Sequence, residues 1–581
     1  MPASLVQTDS LLAVNIGTAV TRAVFFDVVE GEYRLVASAS APSTTEAPFH
    51  DVGEGVRNAI NNLQTVTGRT LLNADHRLIT PFQPDGSGVD AFVATISAGP
   101  ALKTALVGLL EDVSLGSALR LAEMTYTRVV DSAGLNDHRL GDQKIDTLLR
   151  LQPDVVIITG GTDGGASRSV HKMLEPVGLA GYLLPQEKRP AVLFAGNQKL
   201  DDEVKGLLGS VTSSLRFSPN VRPSLETEDL EPAARELAGI FLEIRQRQLK
   251  GLDDIANWAD GNVLPSAYAL NRMVRFLGQV YPGHKGLLSV DIGASAAVVA
   301  AGFGQRSTLS VYPQFGLGEN LPALLQYTTL EDVLRWSPLD VSTDVLRDYI
   351  YQKALYPASI PATKEEQAIA QAVTRQALYL AVQTARRNFP RSARPGLLPG
   401  FEPILAGGSA LDDVPTPGQS LLLLLDAVQP TGLTTIILDK NDLLPLLGAA
   451  AQRNSILPVQ VLESGAFQSL GTVVSVTASA AYGSLVARAR MVYDDGHEAQ
   501  AEVKYGSIEI LPLANGQSAK LTLQPSHGTD VGFGTGRGGM VRVSGGAMGV
   551  VIDGRGRPLV LPGDPVRRRE LVKKWLWTVG G

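Results

Sequence analysis

An α/β protein of two similar lobes with a β-rich segment appended is the fold class this sequence predicts, and three observations carry it. A short phrase occurs twice: an apolar strand, a polar residue, Ile-Gly, a small residue, then a second strand. Its first copy is Leu11-Leu12-Ala13-Val14-Asn15-Ile16-Gly17-Thr18, running into residues 21–27. Its second is Leu287-Leu288-Ser289-Val290-Asp291-Ile292-Gly293-Ala294-Ser295, running into residues 298–300. Between the copies, strand-length apolar runs alternate with stretches of helical period, as in a mostly parallel sheet. After about residue 456 the texture changes to short β-rich runs separated by Gly, Asp and Asn. A chain of 581 residues exceeds one hydrophobic core, so the expected division is 1–264, 265–455 and 456–581.

In chain order, residues 11–40 read as three strands, followed by a helix over 53–63. Strands are expected at 91–97, 129–131, 155–159, 192–195 and 211–217, with helices near 100–112, 142–150, 167–176 and 199–208. A longer amphipathic helix covers 230–248, with Pro232 in its first turn, where its missing N–H costs nothing. A further helix over 265–280 leads into the second hairpin at 287–301. The second lobe continues with a helix after Gly318, a long helical region over 363–388, strands at 403–406 and 434–438, and a helix at 443–453. The β-rich segment has strands at 473–477, 486–492, 507–511, 540–543 and 549–552. A basic helix ends the chain, docked through Leu571, Trp575 and Leu576.

Composition excludes several function classes. A net charge of −7 speaks against a nucleic-acid partner, which calls for a basic face. The absence of cysteine excludes disulfides, thiolate zinc, iron–sulfur clusters and thiol catalysis. The seven histidines show no HExxH or His-x-His spacing. No apolar run approaches the ~20 residues needed to span a bilayer, and the first ten residues lack the basic and apolar regions of a signal peptide. A cytoplasmic location without membrane partners is expected. Residues Gly534-Thr535-Gly536-Arg537-Gly538-Gly539 form a formal GxGxxG, but a strand follows where a dinucleotide site needs a helix.

Each copy of the repeated phrase reads as a hairpin whose glycine, Gly17 or Gly293, lets backbone N–H groups approach a phosphate. Asn15 and Asp291 end the first strands, where a metal-bound water is held. Two such hairpins could grip one nucleotide from opposite sides, an arrangement that resembles the actin, sugar kinase and 70-kDa heat-shock ATPase superfamily. That resemblance implies a two-lobed, ribonuclease H-like fold with ATP and Mg2+ as cofactors, the metal held through water by Asn15 and Asp291. The superfamily carries Asp in the first hairpin. Asn15 keeps the shape and removes a charge, so any magnesium-dependent hydrolysis is expected to be weak. Thr18 would add a hydroxyl and an N–H to the phosphate loop.

Thr159-Gly160-Gly161-Thr162-Asp163-Gly164-Gly165 follows an apolar strand and precedes a helix, as a phosphate cradle does. Gly160 and Gly161 are therefore candidate phosphate contacts, and Asp163 a candidate catalytic carboxylate beside Asp291. A Gly-rich turn capped by Asp explains the run equally well. Gly407, Gly408 and Ser409 resemble the superfamily's adenosine loop, and Gly316-Leu317-Gly318-Glu319 is a further candidate cleft loop.

Several phrases are similar to the glutamate mutase L family, the MutL-type accessory proteins of adenosylcobalamin-dependent mutases. They are the run 156–165, Phe194-Ala195-Gly196-Asn197, Asn220-Val221-Arg222-Pro223, Glu231-Pro232-Ala233-Ala234-Arg235-Glu236 and the Asp291-Ile292-Gly293 hairpin. The resemblance covers roughly residues 11–455. It implies an ATP-dependent, chaperone-like reactivating role with a mutase subunit as partner. Asn15, the loop Ser97-Ala98-Gly99-Pro100 and the β-rich tail depart from the pattern. A nucleotide-sensing scaffold and a small-molecule kinase on the same fold are the alternatives.

Overall fold

The computed structural model describes residues 9–165, 167–281, 285–392 and 394–581. The first copy of the repeated phrase forms β1 (Leu11–Ile16) and β2 (Val20–Val29), followed by β3 (Glu32–Pro42). After β4 (Ala91–Ile96) the chain enters an insert carrying β5 (Leu102–Val107), β6 (Thr127–Ala133), β7 (Val155–Ile158), β8 (Ala191–Phe194) and β9 (Ser214–Phe217). It then rejoins the first sheet at β10 (Val263–Pro265). The first sheet has the order β10-β4-β1-β2-β3, with β1, β4 and β10 parallel and the β1–β2–β3 meander antiparallel.

The insert is a doubly wound sheet of its own, in the order β6-β5-β7-β8-β9, with all neighbours parallel. Residues 102–107 are an inner strand of that sheet rather than part of the helix expected near 100–112. Apart from Lys103, whose ammonium reaches the Leu151 carbonyl at 3.0 Å, that strand is buried along its length. A strand covered on both faces shows no two-residue alternation, so its pattern does not distinguish it from a buried helix.

In the second lobe, β11 (Gly286–Ile292), β12 (Ala297–Phe303), β13 (Arg306–Tyr312), β14 (Phe401–Gly407) and β15 (Gly432–Asp439) line up as β13-β12-β11-β14-β15. This matches β3-β2-β1-β4-β10 of the first lobe, strand for strand. A helical block fills the space between β13 and β14. Its longest helix, Lys364–Ala385, starts at a capping box of Thr363 and Glu366.

The second sheet does not stop at β15. β16 (Gln468–Ser475) adds antiparallel to β15. The chain then forms β17 (Leu485–Tyr493), β18 (Glu498–Lys504), β19 (Ile508–Leu511), β20 (Ser518–Pro525), β21 (Gly539–Ser544) and β22 (Val550–Asp553). β22 and β19 extend the large sheet to eight strands, while β18-β17-β20-β21 form a separate antiparallel sheet. A helix, Ile456–Glu463, precedes them in the segment expected to be β-rich.

A buried ionic joint ties this segment to the second lobe. Arg555 grips Asp553 with two donors, each at 2.9 Å, and donates to Asp426 at 2.6 Å. Arg557 donates to Asp553 at 2.5 Å and Arg375 to Asp426 at 3.0 Å. The C-terminal helix, Pro565–Thr578, buries Val572 and Trp575, with Leu571 and Leu576 partly covered. Its Trp575 indole N–H donates to the Gly506 carbonyl at 2.8 Å. Among the described residues, no helix is long and apolar enough to cross a membrane.

One hydrophobic core spans both lobes and a second fills the second lobe; in the first, helix Ser266–Val280 packs on helix Leu443–Ala450. The approach is close because Gly448 has no side chain: a Cβ there would stand 2.0 Å from the Ala269 carbonyl oxygen.

Candidate functional site

The two hairpin turns face each other across a cavity of about 60 Å³ between the lobes. Each turn is closed by its glycine: Gly17 N–H donates to the Val20 carbonyl at 3.0 Å, and Gly293 N–H to the Ala296 carbonyl at 3.2 Å. At Gly17 a Cβ would lie 2.7 Å from that carbonyl oxygen, so the turn excludes a side chain. The tips meet, with the Thr18 and Ser295 hydroxyls hydrogen-bonded at 2.8 Å.

The second lobe floors the cavity through strand register. Asp291 of β11 lies beside Gly407 of β14, which lies beside Asp439 of β15. Gly408 has φ 100°, and a Cβ there would meet the backbone of Ile292 at 2.4 Å. Only glycine lets the loop lie so close to the hairpin strand. Ser409 then caps the wall, its hydroxyl 3.7 Å from where a Gly293 Cβ would stand. The loop at 316–318 folds over the second turn, with Leu317 N–H donating to Gly293 at 3.0 Å and Gly318 N–H to Ala294 at 2.9 Å.

The cleft is rich in carboxylates. Asp439 accepts from the N–H groups of Leu443 and Leu444, each at 2.8 Å, and so starts the helix that follows. Asp412 accepts from Arg22 of β2 at 2.6 Å, across the lobes. Arg22 also donates to the Lys440 carbonyl at 2.8 Å and holds its Nε 3.3 Å from Asp442. Asn15 donates its amide to Asp442 at 3.3 Å and accepts from the Thr95 and Ser266 hydroxyls, each at 2.9 Å. Asp291 accepts no hydrogen bond from any described residue.

This crowding is reflected in proton affinity. Burial, then the charges of Asp442 and Asp439, push Asp291 up to about 8. Burial and Asp442 raise Asp412 to about 8, with Arg22 pulling the other way. Asp439 rises to about 6, through burial and Asp442, with the backbone N–H groups of Leu444 and Leu443 opposing. Burial and Asp291 also hold the Tyr126 phenol, which lines the cavity, well above its usual range.

Of the residues singled out in the sequence, Asn15, Gly17, Thr18, Asp291, Gly293, Gly408 and Ser409 line this cavity. Gly407 supports it from behind, with Asp291 3.4 Å from where its Cβ would stand. Gly160, Gly161 and Asp163 are not among its lining residues. They occupy the loop after β7, at the carboxyl edge of the insert's sheet. There Asn220 donates to the Gly161 carbonyl and to the Asp163 carboxylate, each at 2.9 Å. Asn197 is fully buried and bridges Gly164 N–H at 3.2 Å and the Gly165 carbonyl at 3.0 Å. Three phrases distant in sequence, 160–165, 194–197 and 220–223, thus form one cluster, none of whose residues lines the hairpin cavity.

Arg22, Asp412, Asp439 and Asp442 escaped the sequence reading. The available signal was Leu438-Asp439-Lys440-Asn441-Asp442, an acid-rich turn straight after a strand that neighbours the Gly-Gly strand. Arg22 carried no signal, because a single charged residue in a strand reads as solvent-facing.

Two sheets of one strand order, each presenting a strand–turn–strand hairpin to a shared cleft, define a two-lobed actin-like ATPase fold with a β-rich C-terminal region. Within that class, residues 11–465 match the family model described as MutL protein, and the chain belongs to this family, glutamate mutase L. Protein MutL of Clostridium tetanomorphum is 26% identical over 210 residues, covering 36% of this chain and 43% of that protein. The match thus spans less than half of the relative's length. Among solved structures, nucleotide-free acetone carboxylase is 13% identical with a TM-score of 0.28, covering 86% of this chain and 81% of that one. The ATP-dependent caprolactamase from Pseudomonas jessenii is 11% identical with a TM-score of 0.30, covering 85% and 81%. Diol dehydratase-reactivating factor in nucleotide-free form is 10% identical with a TM-score of 0.28, covering 78% and 99%. These likenesses are distant, and the strand order carries the fold assignment.

Proposed function

We propose that this chain is a nucleotide-driven accessory protein that reactivates an adenosylcobalamin-dependent mutase of the glutamate mutase class, by opening and closing its two lobes. The observation that carries the reading is the pair of facing hairpin turns with Asp291 at the floor between them. Family membership supplies the partner class. The donor set fits a magnesium nucleotide: glycine turns lining the cavity suit phosphate oxygens, and a carboxylate without a protein donor suits a cation that keeps its waters. Bound magnesium would neutralise phosphate charge; the chain's own residues orient and enclose.

In this reading the turns at Gly17–Thr18 and Gly293–Ala294 take the phosphates, and the loop at Gly407–Ser409 takes the nucleoside. A cavity of about 60 Å³ admits a few waters, whereas small-molecule sites run to ~300 Å³ or more. Nucleotide entry therefore requires the lobes to part. Parting breaks the Thr18–Ser295 and Arg22–Asp412 contacts and the Arg387–Glu123 ion pair. Nucleotide binding is thereby coupled to lobe separation, which is what a partner protein can read.

A second reading, a nucleotide-sensing scaffold that does not turn over, is favoured by Asn15. The deciding experiment measures ATP binding and steady-state hydrolysis with magnesium on the full-length chain, with and without a mutase subunit. Binding with partner-stimulated turnover supports the reactivating role. Binding without turnover in either case selects the scaffold, and no binding overturns both.

A further inference from the structure

Position 15 and position 442 form a matched pair across the lobes. The Asn15 amide oxygen already accepts two hydroxyl donors, from Thr95 and Ser266, so its NH2 group is the end that faces Asp442, at 3.3 Å. A carboxylate at position 15 would lose that donor and set a second negative charge against Asp442. Asp442 itself lines the hairpin cavity. It stands in the left-handed region at φ 51° and ψ 38°, a conformation that few side chains other than Asn and Asp adopt. The neighbouring carboxylates are engaged elsewhere, Asp439 in starting a helix and Asp412 with Arg22. That leaves Asp291 and Asp442 as the carboxylates that face the cavity.

We propose that Asp442 is the second cation-facing carboxylate of the nucleotide cleft, supplying from the second lobe the charge that position 15 lacks, with Asn15 as the donor that positions it. The inference rests on the nucleotide reading of this cleft. It makes the absence of an acid at position 15 a relocation rather than a loss. Because Arg22 Nε lies 3.3 Å from the same carboxylate, a cation entering the cleft competes with an interlobe contact, and metal loading and lobe separation become linked.

The test uses the full-length chain, with Mn2+ as the metal probe and ADP as the nucleotide. Mn2+ affinity in the ADP complex is read by electron paramagnetic resonance, and ADP affinity in EDTA by calorimetry. Asp442→Asn keeps the left-handed backbone. It is expected to weaken Mn2+ by about tenfold or more while leaving ADP affinity in EDTA within about twofold, a split that a merely structural residue would not produce. Asn15→Asp in the Asp442→Asn background returns the charge to the first lobe and is expected to restore Mn2+ affinity to within about threefold of wild type. Should Asp442→Asn fail to fold by circular dichroism, Arg22→Gln serves instead: freeing Asp442 is expected to tighten Mn2+, and weaker Mn2+ would overturn the proposal. Unchanged Mn2+ affinity in Asp442→Asn, or no rescue in the double variant, also overturns it. Wild-type protein that binds no ADP at all sinks the nucleotide reading itself, a result distinct from either.

Discussion

Two ionic clusters in this molecule use the same chemistry with opposite balance. The joint between the second lobe and the β-rich segment sets three guanidinium groups, Arg375, Arg555 and Arg557, against two carboxylates, Asp426 and Asp553, all nearly sealed from water. The cleft sets Asp412, Asp439 and Asp442 around Arg22, with Asp291 near Asp439 and Asp442 and, among the described residues, no arginine of its own. In the joint every carboxylate has an arginine partner, and Asp553 is held far below the usual carboxylate range: burial raises it, but Arg555 and Arg557 outweigh that. In the cleft, burial and like charge win at Asp291, Asp412 and Asp439, which are pushed up. A buried network in which each carboxylate is matched by arginine is a fastener, whereas a negative surplus around a cavity is the electrostatic condition for taking up a cation.

The largest expected effect breaks the joint. Asp553→Ala leaves the buried Arg557 without a carboxylate and Arg555 with Asp426 alone, and should cost about 3–5 kcal/mol of stability, measured by chemical denaturation. The cleft's nucleotide affinity should survive wherever the protein remains folded. A smaller loss, about 1–3 kcal/mol, is expected for Gly448→Ala, which forces apart the two helices crossing between the lobes. Differential scanning calorimetry would register it, and an unchanged transition would show that the helices slide without cost.

The pH dependence separates the clusters by sign. Asp291 has a folded pKa of about 8 against an ordinary value of 3.8, so the folded state binds the extra proton between those limits. Stability of the metal-free protein should therefore be greatest in acid with respect to this group, and fall as pH rises from about 4 to 8. Asp291→Asn should make that decline shallower, leaving the share of Asp412 and Asp439. Asp553 behaves oppositely: its depressed pKa contributes stability that is complete above about 4 and is lost only as pH falls toward the folded value. A stability profile of Asp291→Asn that declines from about pH 4 to 8 as steeply as wild type would mean that Asp291 is not one of its sources, since Asp412 and Asp439, also raised, supply only the remainder.

The smallest effect is expected at Asp163. Its carboxylate accepts from Asn220 in the insert, and it does not line the hairpin cavity. Asp163→Asn should therefore leave nucleotide affinity within about twofold. A tenfold loss would bring the insert's loop into the nucleotide site.

Legibility followed the range of the interaction. Both hairpins, Asn15, Gly17, Thr18, Asp291 and Gly293 were readable because strand, turn glycine and polar residue are contiguous, and the phrase recurs. The loop at Gly407–Ser409 was readable because it follows a strand at a fixed place in the repeated order. Residues 102–107 misled because burial on both faces erases the alternation that marks a strand. The Gly160–Gly165 run was legible as a loop at a strand's carboxyl edge, but not as part of a different sheet, since strand and loop look alike in either sheet.

By itself, the amino-acid sequence determined the two-fold repeat, the alternation of strand and helix, the classes of chemistry excluded by composition, and the identity of the turns. These follow from local rules: side-chain period, turn conformation and the presence or absence of a residue type. Only the tertiary structure decided that Asp442 faces Asn15, that Arg22 reaches Asp412 across the lobes, and that β16, β22 and β19 continue the second sheet rather than standing apart. Each of those contacts joins residues far apart in the chain. Burial then sets the strength of the charges they bring together, and neither the pairing nor the burial is written in any local run of residues.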